Sequence, residues 1–319
     1  MTATSAETLP RATGERAGRP GPPRRRRTGR AGYAFLVPWF AGLALFTLGP
    51  MAFSLYLSFT DYSLLQSPHW VGLTNYRTMF GNDPRYLHSV GVTLRYVVFA
   101  VPLKLAVALA VALLLNRRRR GTGLYRAAYY VPSLLGTSVA VALAWRMMYG
   151  DSGTVQTLLG KVGVNAPDFI HNPTWALWTL VLLAIWQFGA PMVIFLAGLK
   201  QIPADLYDAA AVDGASRWSR FRKVTVPMLS PVIFFNLVLE TIHGFQGSTS
   251  AFVLSNGTGG PVDATLMYTL HLYKAGFVDL NMGYASAMAW VFLLVVGLIT
   301  VVLFNTGRFW VHYSDSEER

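Results

Sequence analysis

Four polar or small residues interrupt one apolar stretch of this chain at helical spacing. Asn236, Glu240, His243 and Gly247 stand three or four positions apart, so they share one face of a helix. A carboxylate in the middle of a membrane costs roughly 3 kcal/mol on insertion scales, so it normally faces a bundle interior or a wet cavity. Glu240 and His243 can partner each other, which would lower that cost.

Two interpretations of this polar face stay open. In the first, Glu240 and His243 form a patch on a translocation path and hydrogen-bond to the hydroxyl groups of a substrate. In the second, Glu240 makes a structural bond between helices, with Lys104 as its partner. Lys104 is otherwise expected to be structural, or to extend its ammonium group toward the membrane surface.

Trp186 and Gln187 form a second polar pair, in the middle of another apolar stretch. A tryptophan face can stack on the apolar C–H face of a sugar, while an amide bonds the sugar's hydroxyl groups. The same two residues can also serve as a packing residue and as a hydrogen-bonding link between helices. Both interpretations are kept.

Catalytic and metal-binding patterns are lacking. The six histidines are scattered without an HExxH pair, and no serine lies in a GxSxG turn. Gly160-Lys161 is followed by Val162, so the phosphate-binding sequence GxxxxGK[ST] does not occur. There is no cysteine. We therefore expect no enzyme activity, no metal, no cofactor, and no ATP hydrolysis by that route in this chain.

The composition predicts an all-α integral membrane protein. Of 319 residues, 53% are hydrophobic and only 13% are charged, against roughly 25% charged in a soluble domain. The apolar residues cluster into six runs, each near the ~20 residues that a transmembrane helix needs. The six predicted spans are Tyr33–Leu57, Leu94–Asn116, Tyr125–Met147, Trp175–Leu199, Met228–Leu254 and Gly283–Asn305.

The basic residues predict the orientation. Twenty Lys and Arg residues fall on the side of both termini and only six on the other, which places both termini in the cytoplasm. Residues 1–30 are predicted to form a disordered basic tail, because their composition cannot bury a core. This tail either anchors the orientation or binds anionic lipid. Residues 314–319 form a second short cytoplasmic tail.

The polar segment 199–227 separates the fourth and fifth predicted spans. A proline and two aspartates suit the start of a first helix, and Gly214 permits a left-handed turn after it. Ser216 can cap a second short helix over Arg217–Lys223. The segment therefore predicts a helix–turn–helix hairpin at the cytoplasmic surface of the membrane.

The spacing in this hairpin is similar to a known signature. Asp208-Ala209-Ala210, then Gly214, then Pro227 at the end resembles the "EAA" loop of permease subunits in ABC importers, above all those of the carbohydrate branch. The departure is Asp208, where the family usually has Glu. The alternative is an amphipathic surface hairpin with no partner. Weaker similarities extend the resemblance over residues 33–313: they lie at Trp70–Tyr76, Gly259–Pro261, Gly283–Ala287 and Trp310–Tyr313.

The resemblance implies a six-span permease domain over residues 31–313, in the cell membrane of a bacterium. The chain would form half of the translocation pathway for a mono- or oligosaccharide, together with a second permease subunit. Two ATP-binding subunits and an extracytoplasmic solute-binding protein would complete the importer, in membrane lipid and without nucleic acid. The hairpin residues expected to couple to the ATPase are Asp208, Ala209, Ala210, Gly214 and Pro227. The resemblance also places Gln246, at the end of the fifth predicted span, on the substrate path.

Three alternatives to sugar import remain. One is an ABC permease for glycerol phosphate or another polyol derivative. Another is a proton-coupled secondary carrier with Glu240 and His243 as a relay, which leaves the EAA-like loop unexplained. The last is a purely structural membrane scaffold.

Overall fold

The computed structural model describes residues 31–116, 121–135, 138–150, 153–164 and 167–311. The described part is helical, with isolated bridges but no strands. The two predicted tails, 1–30 and 314–319, lie outside it. The α-helices are α1 (Ala31–Leu43), α2 (Gly49–Leu57), α3 (Thr74–Arg77), α4 (Pro84–Leu115), α5 (Thr122–Leu135), α6 (Val139–Tyr149), α7 (Thr154–Lys161), α8 (Pro173–Trp186), α9 (Gly189–Gln201), α10 (Ala204–Val212), α11 (Arg217–Arg220), α12 (Val226–Gln246), α13 (Thr249–Leu254), α14 (Tyr268–Tyr273) and α15 (Met282–Gly307). Wider π-helical turns occupy Ala44–Leu48, Thr78–Asn82, Phe221–Thr225 and Lys274–Val278.

Four helical runs in the described residues are long and apolar enough to cross a membrane. Two further spans result if the bent pairs α5 with α6–α7, and α8 with α9, each count as one. The chain divides into two compact units, residues 1–51 and 52–319, and the cavity and hairpin described below belong to the second. The four runs are Phe35–Leu57, Pro84–Leu115, Arg217–Leu254 and Met282–Gly307.

The second span starts earlier than the sequence analysis predicted. Helix α4 begins at Pro84, ten residues before the expected Leu94. The Asp83 side chain accepts hydrogen bonds from the backbone N–H groups of Arg85 (2.9 Å) and Tyr86 (3.1 Å). Pro84 occupies the first helical position, where its missing N–H costs nothing. A capping Asp before Pro was visible in the sequence, but the polar first turns lie outside the apolar run.

The fourth predicted span consists of two helices, where an unbroken helix was predicted. Helix α8 ends at Trp186, α9 starts at Gly189, and their axes differ by 42°. A Cβ at Gly189 would lie 2.4 Å from the carbonyl oxygen of Tyr129, so only glycine lets α5 approach this closely. The break puts Gln187 at the end of α8 instead of within a continuous helix.

The fifth span also differs from its prediction. Helix α11, the turn Phe221–Thr225 and α12 follow one another without a gap, so the predicted short helix Arg217–Lys223 is the start of one long helical run. This run precedes the expected start at Met228. It breaks near Gly247, after which α13 begins. The hairpin's second arm is therefore continuous with the helix that carries Glu240.

Helices α4, α9 and α12 pack into the interior that frames the polar cavity. Val101, Leu105 and Ala108 of α4 are buried beside Phe195 of α9 and Leu229 of α12. Small residues bring the helices close, as packing in lipid requires.

The end of α4 opposite the hairpin is fixed by a polar network around Asp83. Its Oδ2 accepts hydrogen bonds from the Tyr284 hydroxyl (2.6 Å) and from His271 Nε2 (3.2 Å). Burial by itself would raise the pKa of the Asp83 carboxyl, but the hydrogen bonds from Tyr284, His271 and the Tyr86 backbone outweigh it and hold the pKa below its ordinary value. Asp83 thus joins the starts of α4 and α15 to α14.

Two segments that carry the family resemblance meet beside this network. Asn75 donates from Nδ2 to the carbonyl oxygens of Ser58 (2.9 Å) and Thr60 (2.8 Å). Gly283 donates its backbone N–H to Tyr62 (2.9 Å). The chain after α2 is therefore held between α3 and the start of α15.

Candidate functional site: a polar cavity and a surface hairpin

A cavity of about 410 Å³ lies between α4, the α8–α9 break and the end of α12. It brings together four of the five residues predicted for a substrate path: Gln187, Glu240, His243 and Gln246. Lys104 lines the same cavity. Its hydroxyl groups come from Ser133, Thr249, Ser250 and Tyr96. The wall therefore offers amide, carboxylate, ammonium and hydroxyl groups within one space.

In the cavity wall, an ion pair joins α4 to α12. Lys104 Nζ lies 2.7 Å from Glu240 Oε2, and their side chains are only 15% and 11% exposed. The pairing of Glu240 with His243, which the sequence allowed, is not found: no hydrogen bond joins them in the part of the chain that the structure describes. The alternative partner, Lys104, is the one found.

The two glutamines enter the cavity because they stand at helix ends. Gln187 directly follows the last residue of α8, and Gln246 is the last residue of α12. At helix ends some backbone N–H and C=O groups have no partner within the helix, so polar side chains and small residues such as Gly247 are common there. The sequence indicated which glutamines were polar exceptions, but not that both stand at breaks.

Trp186 and Asn236 lie elsewhere. Trp186 does not line the cavity; its ring packs 5.8 Å from that of Trp145. Asn236 was predicted to share the polar face, but it is 1% exposed and outside the cavity. Its Nδ2 has no hydrogen-bond partner among the described residues. Helical spacing correctly grouped Glu240, His243 and Gly247 but extended the face one turn too far.

The hairpin between α10 and α11 turns at Gly214 as expected. Gly214 has a φ of +73°. Its N–H donates to the carbonyl of Ala211 (3.1 Å), and that of Ala215 donates to Ala210 (2.9 Å). This pair of bonds is the Schellman motif, which places glycine at the left-handed position. Ser216 caps α11 by accepting from the Ser219 backbone N–H at 3.2 Å.

The hairpin exposes most of the residues predicted to couple to an ATPase, and a hydrogen bond ties it to the turn before α12. Asp208 and Ala209 are exposed, while Ala210 is partly covered. The Tyr207 hydroxyl lies 3.0 Å from Thr225 Oγ1, which links α10 to the turn before α12. Pro227 stands in the first turn of α12. The sequence analysis missed this Tyr207–Thr225 link, for which the sequence carries no local signal.

The fold defines a helical membrane protein with a polar internal cavity and a surface hairpin. Residues 104–313 match the family described as the binding-protein-dependent transport system inner membrane component, and the chain belongs to that family. It is thus a membrane component of an ABC transporter. Members of this family are permease components and not enzymes.

Three relatives show how far the similarity extends. The probable ABC transporter permease YesP of Bacillus subtilis is 51% identical over 92% of this chain and 95% of its own length. The sn-glycerol-3-phosphate permease UgpA of Brucella suis is 34% identical over 88% of this chain and 96% of its own. The trehalose/maltose permease MalF of Thermococcus litoralis is 30% identical over 89% and 95%.

A solved structure shares the fold. A chain of a bacterial ABC transporter involved in the import of the acidic polysaccharide alginate superposes with a TM-score of 0.73 at 22% identity. The match covers 86% of this chain and 94% of the other.

Proposed function

We propose that this chain forms half of the translocation pathway of a binding-protein-dependent ABC importer for a neutral sugar. A second permease subunit supplies the other half, and ATP is hydrolysed on two separate subunits. An extracytoplasmic solute-binding protein delivers the sugar. The hairpin side of the membrane is the cytoplasm in this proposal.

The observation that carries the proposal is the chemistry of the cavity wall. The paired charges of Lys104 and Glu240 cancel, while the groups of Gln187, His243 and Gln246 both donate and accept hydrogen bonds. A sugar has many hydroxyl groups and no net charge. It can therefore hydrogen-bond to these side chains without breaking the Lys104–Glu240 ion pair. The kinship with a trehalose/maltose permease supports the same substrate class.

A glycerol phosphate substrate is the second candidate, since one relative is named for it. A phosphate needs a cation on its path, and Lys104 is the lysine available in this cavity. Its ammonium already binds the Glu240 carboxylate at 2.7 Å. A phosphate would have to break that pair, which favours the neutral sugar.

The coupling step follows from the continuity of the hairpin with α12. The small alanine side chains of α10 allow the hairpin to fit into a groove on an ATPase subunit. The exposed Asp208 can pair with a basic residue there. Tyr207 and Thr225 join the hairpin to the helical run that ends at the cavity. Closure of the ATPase subunits would therefore shift α12, and with it Glu240 and His243, between two discrete arrangements.

The testing experiment isolates the chain with its partners in mild detergent and reconstitutes the complex in proteoliposomes. We expect an ATPase subunit and a second permease to co-purify, and ATP-dependent uptake of maltose or trehalose to exceed that of glycerol 3-phosphate. Preference for glycerol 3-phosphate would overturn the neutral-sugar assignment. A chain that purifies alone and transports in response to a proton gradient would overturn the importer assignment and support the Glu240–His243 relay.

A further inference from the structure

A second space, outside the polar cavity, lies between α4 and α8 and measures about 400 Å³. One wall is a stripe on α4: His88, Val92, Arg95 and Phe99 are spaced three or four apart and so share a face. A matching stripe on α8 forms the other wall; it consists of Thr174, Leu177, Trp178 and Val181. We call this space the α4–α8 groove.

The groove changes from polar to apolar along its length. His88 and Thr174 lie near the starts of their helices, while the rings of Phe99 and Trp178 meet at 5.0 Å further along. From His88 to Phe99 the helix rises about 16 Å. That length is comparable to an interfacial layer of ~7 Å plus part of one hydrocarbon leaflet of ~15 Å.

Arg95 supplies an unmatched positive charge in this groove. It makes no hydrogen bond or ion pair within the described residues, and no acid is among the groove's lining residues. Asp263 is nearby, since its backbone oxygen lies 3.1 Å from His88 Nε2, but its carboxylate is held by Arg85 in two bonds of 2.7 and 2.8 Å. An arginine inside a span normally finds an anionic partner, and its guanidinium suits phosphate.

The surroundings of the groove are apolar and exposed. Val98 is 61% exposed, and Phe99, Trp178 and Leu182 are each more than 40% exposed. In a span, such side chains are covered by lipid or by another helix. A soluble anion would neutralise Arg95 but leave the two rings bare.

We propose that the α4–α8 groove is a binding site for an anionic phospholipid. Arg95 binds the phosphodiester group, His88 and Thr174 face the polar headgroup, and an acyl chain covers Phe99 and Trp178. Basic pockets between transmembrane helices bind anionic headgroups on the cytoplasmic side of membranes, and the α4–α8 groove offers the same chemistry at the end of α4 opposite the hairpin. The proposal is independent of which substrate passes through the cavity.

The first experiment measures lipid retention by the full chain. Wild type, Arg95→Gln and the control Arg77→Gln, which removes an exposed arginine outside the groove, are purified and mixed with phosphatidylglycerol or with phosphatidylcholine of the same acyl chains. Native mass spectrometry should show tight phosphatidylglycerol binding in wild type and Arg77→Gln, and affinity reduced about tenfold or more in Arg95→Gln. Equal binding by all three proteins would overturn the proposal.

The second experiment tests the acyl contact. Phosphatidylglycerol with brominated acyl chains should quench tryptophan fluorescence more than brominated phosphatidylcholine does, and the excess should disappear in Trp178→Phe and in Arg95→Gln. If free glycerol 3-phosphate alone abolishes the excess quenching by brominated phosphatidylglycerol, the groove is a site for soluble anions. Loss of the lipid on assembly with the second permease would indicate a subunit interface. Either result would overturn the proposal.

Discussion

Replacement of either member of the Lys104–Glu240 pair tests the central feature of the cavity. Breaking a buried ion pair by removing one partner costs ~3–5 kcal/mol, because an uncompensated charge remains. Here the side chains are 15% and 11% exposed and border a cavity, so water offsets part of the penalty. We expect Lys104→Met and Glu240→Gln each to reduce the free energy of unfolding by about 2–3 kcal/mol.

The double variant should cost much less than the sum of the two single changes. Once both charges are gone, neither is orphaned, so we expect a coupling energy of about 2 kcal/mol, within the range for directly interacting residues. The assay is unfolding in mixed micelles by titrating a denaturing detergent, followed through tryptophan fluorescence. Lys161→Met, which removes an exposed lysine, serves as the control and should stay within about 0.5 kcal/mol of wild type.

Additivity would refute this reasoning. If the double variant loses the sum of the single losses within about 0.5 kcal/mol, the 2.7 Å contact carries no energy.

The same variants also test selectivity. Glu240→Gln frees the ammonium of Lys104, so uptake should shift toward anionic substrates relative to neutral sugars, and an unchanged ratio would place substrate away from this pair.

Three further predictions concern the hairpin and the opposite end of α4. At Gly214 a Cβ would meet nothing, so Gly214→Val should lower the free energy of unfolding only by the left-handed strain, about 1–2 kcal/mol. ATP-dependent uptake should nevertheless fall sharply at normal expression. Normal uptake would contradict a coupling role. The pKa of Asp83 is lowered by folding, so the stability it contributes is present above the ordinary carboxyl pKa of ~3.9 and is lost as pH falls through the folded value. Asp83→Asn should therefore flatten the decline in melting temperature between pH 5 and pH 3; an unchanged slope would contradict this. A Cβ at Gly283 would lie 2.1 Å from the carbonyl oxygen of Thr60, so Gly283→Ala should lower the melting temperature strongly. Gly297→Ala is the control, because Gly297 lies on the same helix with open space around it, and it should leave the melting temperature unchanged. Similar effects of the two changes would rule out the close contact.

Local features of this protein were determined by the sequence itself. The left-handed turn at Gly214, the Ser216 cap and the family signature at Asp208-Ala209-Ala210 depend on neighbours within a few residues, and the structure has the turn and the cap where they were expected. Helical spacing likewise grouped Glu240 with His243, because a helix fixes which side chains share a face. The apolar runs indicated where membrane helices lie.

Only the tertiary structure decided which residues meet. Lys104 and Glu240 are separated by 136 positions, and no local pattern distinguishes Lys104 from His243 as the partner of the carboxylate. The break before Gly189 is another such case, because it depends on how closely α5 approaches that glycine. Hydropathy reports whether a segment favours lipid but not where a neighbouring helix bends it. The hairpin could therefore be predicted from sequence, whereas the cavity, which depends on contacts between distant segments, could not.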